Sequence, residues 1–166
     1  MEILPSVHRI ESDLEERFMC QYLLVGEERI VLVDTGLAGT PEEVIVPYLG
    51  EIGLGVEDVD EVITSHADVD HCGGNRALKE MNPGLRFSCG EADRTWIEST
   101  DRMMAEIYLW SEPYGFGPDQ GSEDWLRTSS MAIPLWTWVC AAARPCGWGP
   151  SGGSSSCTSL ATHRGT

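Results

Sequence analysis

Four side chains able to hold a metal ion, His66, Asp68, Asp70 and His71, fall inside the segment Ser65-His66-Ala67-Asp68-Val69-Asp70-His71-Cys72-Gly73-Gly74. Imidazole and carboxylate are ligands of zinc, iron and manganese, and their spacing decides whether they act together. In extended backbone, residues two apart point the same way, so His66 and Asp68 can share one cation. A turn directly after them swings Asp70 and His71 toward a second cation a few ångström away. Gly73 and Gly74 let the backbone turn sharply and let the following helix pack close. Taken singly, each histidine or aspartate has an ordinary role as a hydrogen-bonded surface group. Gathered together without a cation they would be costly, which points to metal binding. Cys72, beside them, reads as a small packing residue, with soft ligation or oxidation as the other options.

Such a cluster needs a strand to deliver it and a helix to back it. Residues 61–65 read as a short strand, which places residues 66–74 in a loop at its carboxyl end. A helix over residues 75–81 is stopped by Asn82-Pro83-Gly84, and residues 85–89 form another strand. Residues 91–110 read as mostly helical, with a break near 99–101. Upstream, the apolar runs 19–25 and 30–33 flank the polar turn Gly26-Glu27-Glu28-Arg29, a hairpin signal. Thr40-Pro41-Glu42-Glu43 offers an N-cap, a proline at the first helical position and a carboxylate three residues after the cap. A helix therefore starts there and ends near residues 50–53. Strands and helices alternate, so the fold class is α/β.

On these residues the chain resembles the metallo-β-lactamase superfamily over residues 1–135. Its signature is H-x-H-x-D-H, commonly followed by x-G-G, and Val31-Leu32-Val33-Asp34-Thr35-Gly36 matches the strand and D-T-G turn that members carry upstream. The resemblance implies a layered α+β architecture, half of an αββα sandwich. It implies that His66 ligates a first metal, that Asp70 and His71 ligate a second, and that Asp34 supports the metal loop from behind. It also implies hydrolysis, with a metal-held hydroxide, oriented by Asp70, attacking an ester, thioester, lactone or phosphoester. Asp68 departs from the pattern, because the family usually has histidine there, although flavodiiron members carry glutamate at the equivalent place. The resemblance implies two zinc ions. The carboxylate makes the site harder and more anionic, which opens it to iron or manganese.

The composition bounds the partners. At 166 residues the chain holds one ordinary domain, and its net charge of −16 argues against nucleic acid or anionic membrane as the main partner. A small-molecule substrate is the expected partner. The longest apolar run, residues 131–143, is broken by Pro134 and Thr137, and the N-terminus lacks a basic and apolar leader, so a cytoplasmic location is expected. The six cysteines include no C-x-x-C pair, which favours reduced thiols.

A complete superfamily site also needs a histidine from a P-G-H segment, a bridging aspartate and a last histidine. This chain has only His8 and His163 beyond the cluster, and no acid after Asp124. Residues 125–166 hold four of the six tryptophans and the run Ser151-Gly152-Gly153-Ser154-Ser155-Ser156. This change in composition divides the chain into residues 1–135, the amino-terminal part of the domain, and residues 136–166, a low-complexity tail. Read from the third base of each codon, Trp136-Thr137 becomes Asp, and Trp138-Val139 and Trp148-Gly149 become Gly. From Cys157 onward the shifted frame permits His-Leu-Pro-Gly-His-Thr-Pro-Gly-His, the missing P-G-H element. A single-base shift near Leu135 to Trp136 accounts for this, and it leaves the chain truncated and impaired as a hydrolase. Two other readings are open: a non-haem di-iron redox protein, from Asp68, and a non-catalytic metal-binding or interaction module with a tryptophan-rich partner segment.

Overall fold

The computed structural model describes residues 1–14 and 16–129. The proposed tail of residues 136–166 and its boundary lie outside them. The described residues build one six-stranded sheet in chain order. Strands β1 (Glu2–Leu4), β2 (Val7–Leu14), β3 (Arg17–Val25) and β4 (Ile30–Val33) run antiparallel to their neighbours, while β5 (Glu61–Thr64) and β6 (Arg86–Cys89) continue from β4 in parallel. The hairpin expected around Gly26 forms, closed by Gly26 N donating to the Arg29 carbonyl at 2.9 Å. The parallel pairs need crossovers, and helices supply them. Residues Pro41–Ile45 and α1 (Val46–Glu51) join β4 to β5, and α2 (Val69–Cys72) with α3 (Asn75–Met81) joins β5 to β6. Beyond β6 come α4 (Glu91–Ile97), α5 (Thr100–Met103), a π-helical turn at Met104–Tyr108 and α6 (Gln120–Ser129).

Register explains where the core sits. Leu23 pairs with Leu32, Leu32 with Val62, and Val62 with Phe87, so one row of buried apolar residues crosses four strands. Ile45 and Leu49 from the first crossover and Leu78 from α3 pack on that row. The next row points the other way, through Tyr22, Val33 and Ile63. On this second face Phe18 is 62% exposed, and Tyr22, Leu24 and Ile63 are each more than a third exposed. Large apolar groups on one face of a sheet mark a surface made to be covered.

Three local expectations are corrected. Thr40 does not cap the helix with its side chain; its hydroxyl instead accepts from Leu37 N at 3.0 Å, back toward the D-T-G turn. The first helical turn is π-wound, with Val46 N donating to the Pro41 carbonyl. Pro47 explains this, because it has no N–H to give the carbonyl four residues earlier. Residues 66–74 are not all loop, since α2 is a single helical turn inside them. The break near residue 99 is where Ser99 caps α5, its hydroxyl accepting from Arg102 N.

Gly73 and Gly74 have ordinary right-handed φ values, so a sharp turn is not what they provide. They provide space. A Cβ on Gly73 would strike the carbonyl oxygens of Ser129 and Val69, and one on Gly74 would lie 2.5 Å from the Thr35 carbonyl oxygen and 2.6 Å from Pro41 Cγ. Gly74→Ala is therefore expected to destabilise the fold by about 1–3 kcal/mol, the cost of overpacking against backbone that cannot yield. Gly50→Ala, in α1 with nothing within 4 Å of the new methyl, should be neutral or slightly stabilising. Urea unfolding midpoints check the pair, and equal midpoints for both variants would refute the close-packing role.

Candidate metal site

Strand β5 delivers the cluster, and alternation fixes which side chains face out. Ala67 is buried among Cys72, Cys89, Ile97 and Met103, and Val69 among Met104 and Leu126. With residues 67 and 69 anchored inward, His66 and Asp68 project together on the opposite side, as the spacing requires. Ala67 N also donates to Asp93 Oδ1 at 3.2 Å, and Val69 N to the Tyr108 hydroxyl at 3.2 Å. Asp68 stands at the N-cap position of α2 with extended backbone, and the helical turn then raises Asp70 and His71 beside it.

Asp34 ties the loop down from β4. It is 6% exposed and has a left-handed φ of 61°, a conformation that aspartate tolerates better than most residues. Its carboxylate accepts from Ser65 N and Ser65 Oγ, both at 2.7 Å, and from His71 Nδ1 at 2.9 Å. Behind it, Thr35 N donates to the His71 carbonyl, Thr35 Oγ1 to Asn75 Oδ1, and Asn75 Nδ2 to Thr64 Oγ1. The D-T-G turn thus holds the ends of β4 and β5 and the start of α3 in one buried polar network.

Hydrogen-bond inventory assigns the imidazole protons. A carboxylate only accepts, so His71 Nδ1 carries the proton it gives Asp34. Ser65 Oγ gives its own proton to Asp34 and therefore accepts from His66 Nδ1, 2.9 Å away. In the neutral form of each ring this leaves Nε2 bearing the lone pair. His66 Nε2 faces Asp68 Oδ2 at 3.3 Å and His71 Nε2 faces Asp70 Oδ2 at 3.7 Å, with the two rings 3.9 Å apart between centroids. Lone pair facing carboxylate is repulsive unless a proton or a metal ion lies between. The hydrogen bond to Asp34 raises the His71 pKa above the usual imidazole range, with burial opposing it.

The four side chains form two such pairs, and among the described residues no three histidine, cysteine or acidic groups converge on one point. Further ligands would have to come from elsewhere. Cys72 is not one: it is 3% exposed, donates to the Ala67 carbonyl, and burial pushes its thiol pKa up to about 12. It is a packing residue, as its size suggested. Cys20, Cys72 and Cys89 are not joined in a disulfide. Ser65 was part of the recognised segment, yet its place at the centre of the network carried no sequence signal beyond adjacency to His66.

A cleft of about 820 Å³ opens directly on Asp68 and Asp70. Tyr108, Trp125 and Leu126 line it, together with Leu14 and Arg17 from the ends of β2 and β3. Helix α6, which gives part of this lining, was not expected from sequence. Its start is marked by Asp119 Oδ1 accepting from Ser122 N at 2.8 Å, and Glu123 pairs with Arg127 one turn on.

Comparison with known proteins bears on this arrangement. A family model described as the metallo-beta-lactamase superfamily matches residues 18–128, two thirds of the chain. Solved structures match as well. A metallo-β-lactamase from Cronobacter sakazakii with a HARLDQ motif is 18% identical, with a TM-score of 0.59 over 83% of this chain and 46% of its own. The FEZ-1 metallo-β-lactamase of Legionella gormanii is 17% identical, with a TM-score of 0.58 over 81% and 44%. MEM-A1, a subclass B3 metallo-β-lactamase from a soil metagenome library, is 19% identical, with a TM-score of 0.56 over 82% and 43%. The chain spans less than half the length of these structures. A comparison with curated proteins gives no match. Among the described residues no helix is long and apolar enough to cross a membrane.

Proposed function

Because the chain belongs to the metallo-β-lactamase superfamily, we propose that its site is that of a metal-dependent hydrolase, with His66 and Asp68 holding one divalent ion and Asp70 and His71 the other. The observation that carries this reading is the placing of each Nε2 atom against a carboxylate, Asp68 for His66 and Asp70 for His71, while both Nδ1 atoms are taken up by Ser65 and Asp34. That donor set fits divalent cations. Once bound, such ions supply a water nucleophile at neutral pH and polarise an ester, thioester, lactone or phosphoester. Asp70, which lines the cleft, would also orient the nucleophile, and Asp34 and Ser65 would keep both imidazoles in the ligating tautomer. Zinc is the expected metal, and Asp68 in place of histidine admits iron or manganese. The HARLDQ motif of the Cronobacter protein also lacks histidine at its third position.

Two ligands per ion are too few for a closed site. The exposed apolar sheet face and the shifted-frame P-G-H element both support a second half lost to a frame change near Leu135 to Trp136, with this chain impaired as a result. The test is metal content by elemental analysis together with hydrolysis of aryl ester and thioester substrates, before and after chelation. His66→Ala and His71→Ala are each expected to lower metal affinity by about 10-fold or more. Unchanged metal content in both variants would defeat the ligand assignment.

A further inference from the structure

The sheet face turned away from the α1 and α3 helices has a centre without charge. On β3, alternation places Phe18, Cys20, Tyr22 and Leu24 on that face, with Val33 and Val31 of β4 beside the last two. Ile63 of β5 extends the row past Val33. Charged residues stand on either side of this band. Arg9, Glu11 and Asp13 of β2 lie opposite Tyr22, Cys20 and Phe18, and Glu61 of β5 lies opposite Arg86 of β6. Most of them pair with each other: Arg9 with Glu11, and Glu61 with Arg86 at 3.5 Å and with Arg29 at 3.8 Å. An apolar centre within a rim of satisfied polar groups is the anatomy of a protein interface.

Charge decides which partner the face suits. The chain carries −16, so its general field repels another copy and attracts a cationic partner. This face departs from that field, because two arginines stand on it against three carboxylates. A surface for a cationic partner would hold the excess acid. A surface for a second copy must shed it, since in a two-fold interface each charge meets the same patch on the other chain. Size agrees. The five strands β2 to β6, at ~4.8 Å spacing and ~3.3 Å per residue, give a face of roughly 500 Å² in projection. Each partner in a standard interface contributes about 800 Å² of accessible surface, which exceeds its projected area.

We propose that two copies of the chain as encoded join through this face, sheet against sheet at about 10 Å with the α1 and α3 helices outside. Such an interface closes at two copies. The proposal rests on the encoded chain leaving the face bare, and not on the ligand assignment, because His66, Asp68, Asp70 and His71 follow β5 and lie off the face.

Sedimentation equilibrium of the full chain from about 1 to 100 µM is expected to show a monomer passing to a dimer and no further. Added salt should tighten the dimer, since it screens the repulsion between the copies and leaves the apolar contact in place. Tyr22→Lys and Leu24→Lys should each weaken it by about 100-fold or more, because a two-fold interface carries every substitution twice. Both changes make the chain less negative, so their effect is not added repulsion between whole chains. Ile52→Lys, at the end of α1, makes the same charge change at a residue 36% exposed, against 37% for Tyr22, and should leave the dimer intact. A monomer at every concentration, with the face open or covered by residues 130–166 of the same chain, would overturn the proposal. So would a mass climbing past two copies, a dimer loosened by salt, a dimer that survives both face variants, or one lost in Ile52→Lys. Zinc uptake measured on the same samples separates the two readings: a dimer that takes up no zinc would sink the hydrolase reading alone, and a monomer that takes it up would sink this proposal alone.

Discussion

Asp34→Ala is expected to cost about 3 kcal/mol of stability and to weaken metal binding by about 10- to 100-fold. The first effect follows from three hydrogen bonds lost at once, two from Ser65 and one from His71, at a carboxylate only 6% exposed. Alanine also sits poorly at a φ of 61°. The second effect follows from the proton on His71 Nδ1. Without an acceptor there, the ring is free to place its proton on Nε2, the atom that faces Asp70. Asp34→Asn separates the two effects. Asparagine tolerates the left-handed backbone and can accept from Ser65 N, so most of the stability should return. It cannot accept two hydrogen bonds at the second oxygen's place, so the metal affinity should stay low. Urea unfolding and zinc titration of both variants check this, and an Asp34→Asn protein with unimpaired zinc affinity would contradict the orienting role.

On the frame change proposed near Leu135 to Trp136, restoring the reading frame is expected to have the largest effect on activity. The sheet face carrying Phe18, Tyr22, Leu24 and Ile63 is exposed, and covering such groups is worth on the order of 1 kcal/mol or more apiece. A gene corrected by one base near codon 135 should yield a protein with a higher unfolding midpoint and less tendency to aggregate. The restored P-G-H histidines would add ligands to the two pairs already present. Ester or thioester hydrolysis should rise on the order of 1,000-fold or more in kcat/KM, the scale on which charge-stabilising elements act in enzymes. Equal and full activity in the chain as encoded and the corrected one would overturn the truncation account, as would a trusted read of the gene with an uninterrupted frame through codons 130–140.

Much of this frame was legible because local signals were strong. Helix α3 ends where Asn82-Pro83-Gly84 says it should, and β3 and β4 follow their apolar runs on either side of the Gly26 turn. That His66 and Asp68 share one side of the chain was legible from spacing alone, because Ala67 and Val69 go inward and leave the alternate positions outward. Strand β2 was not legible, since the residues on its helix-facing side include His8 and Ser12 as well as Ile10. Ser12 meets buried Gln21, and His8 meets Tyr48, so polar pairs stand where an apolar stripe would announce a strand. The first turn of the α1 crossover was misread because Thr40 spends its hydroxyl on Leu37 and Pro47 removes a helical donor. The network around Ser65 depends on contacts across 31 and 37 positions in sequence, which no local pattern encodes.

Calorimetric titration of the frame-corrected protein with zinc, manganese and ferrous ion tests the ligand cluster most directly. Two ions bound per chain, with one lost in a His66→Ala, Asp68→Ala double variant and the other in an Asp70→Ala, His71→Ala double variant, is the expected result. No uptake of any of the three ions by a folded protein would contradict it.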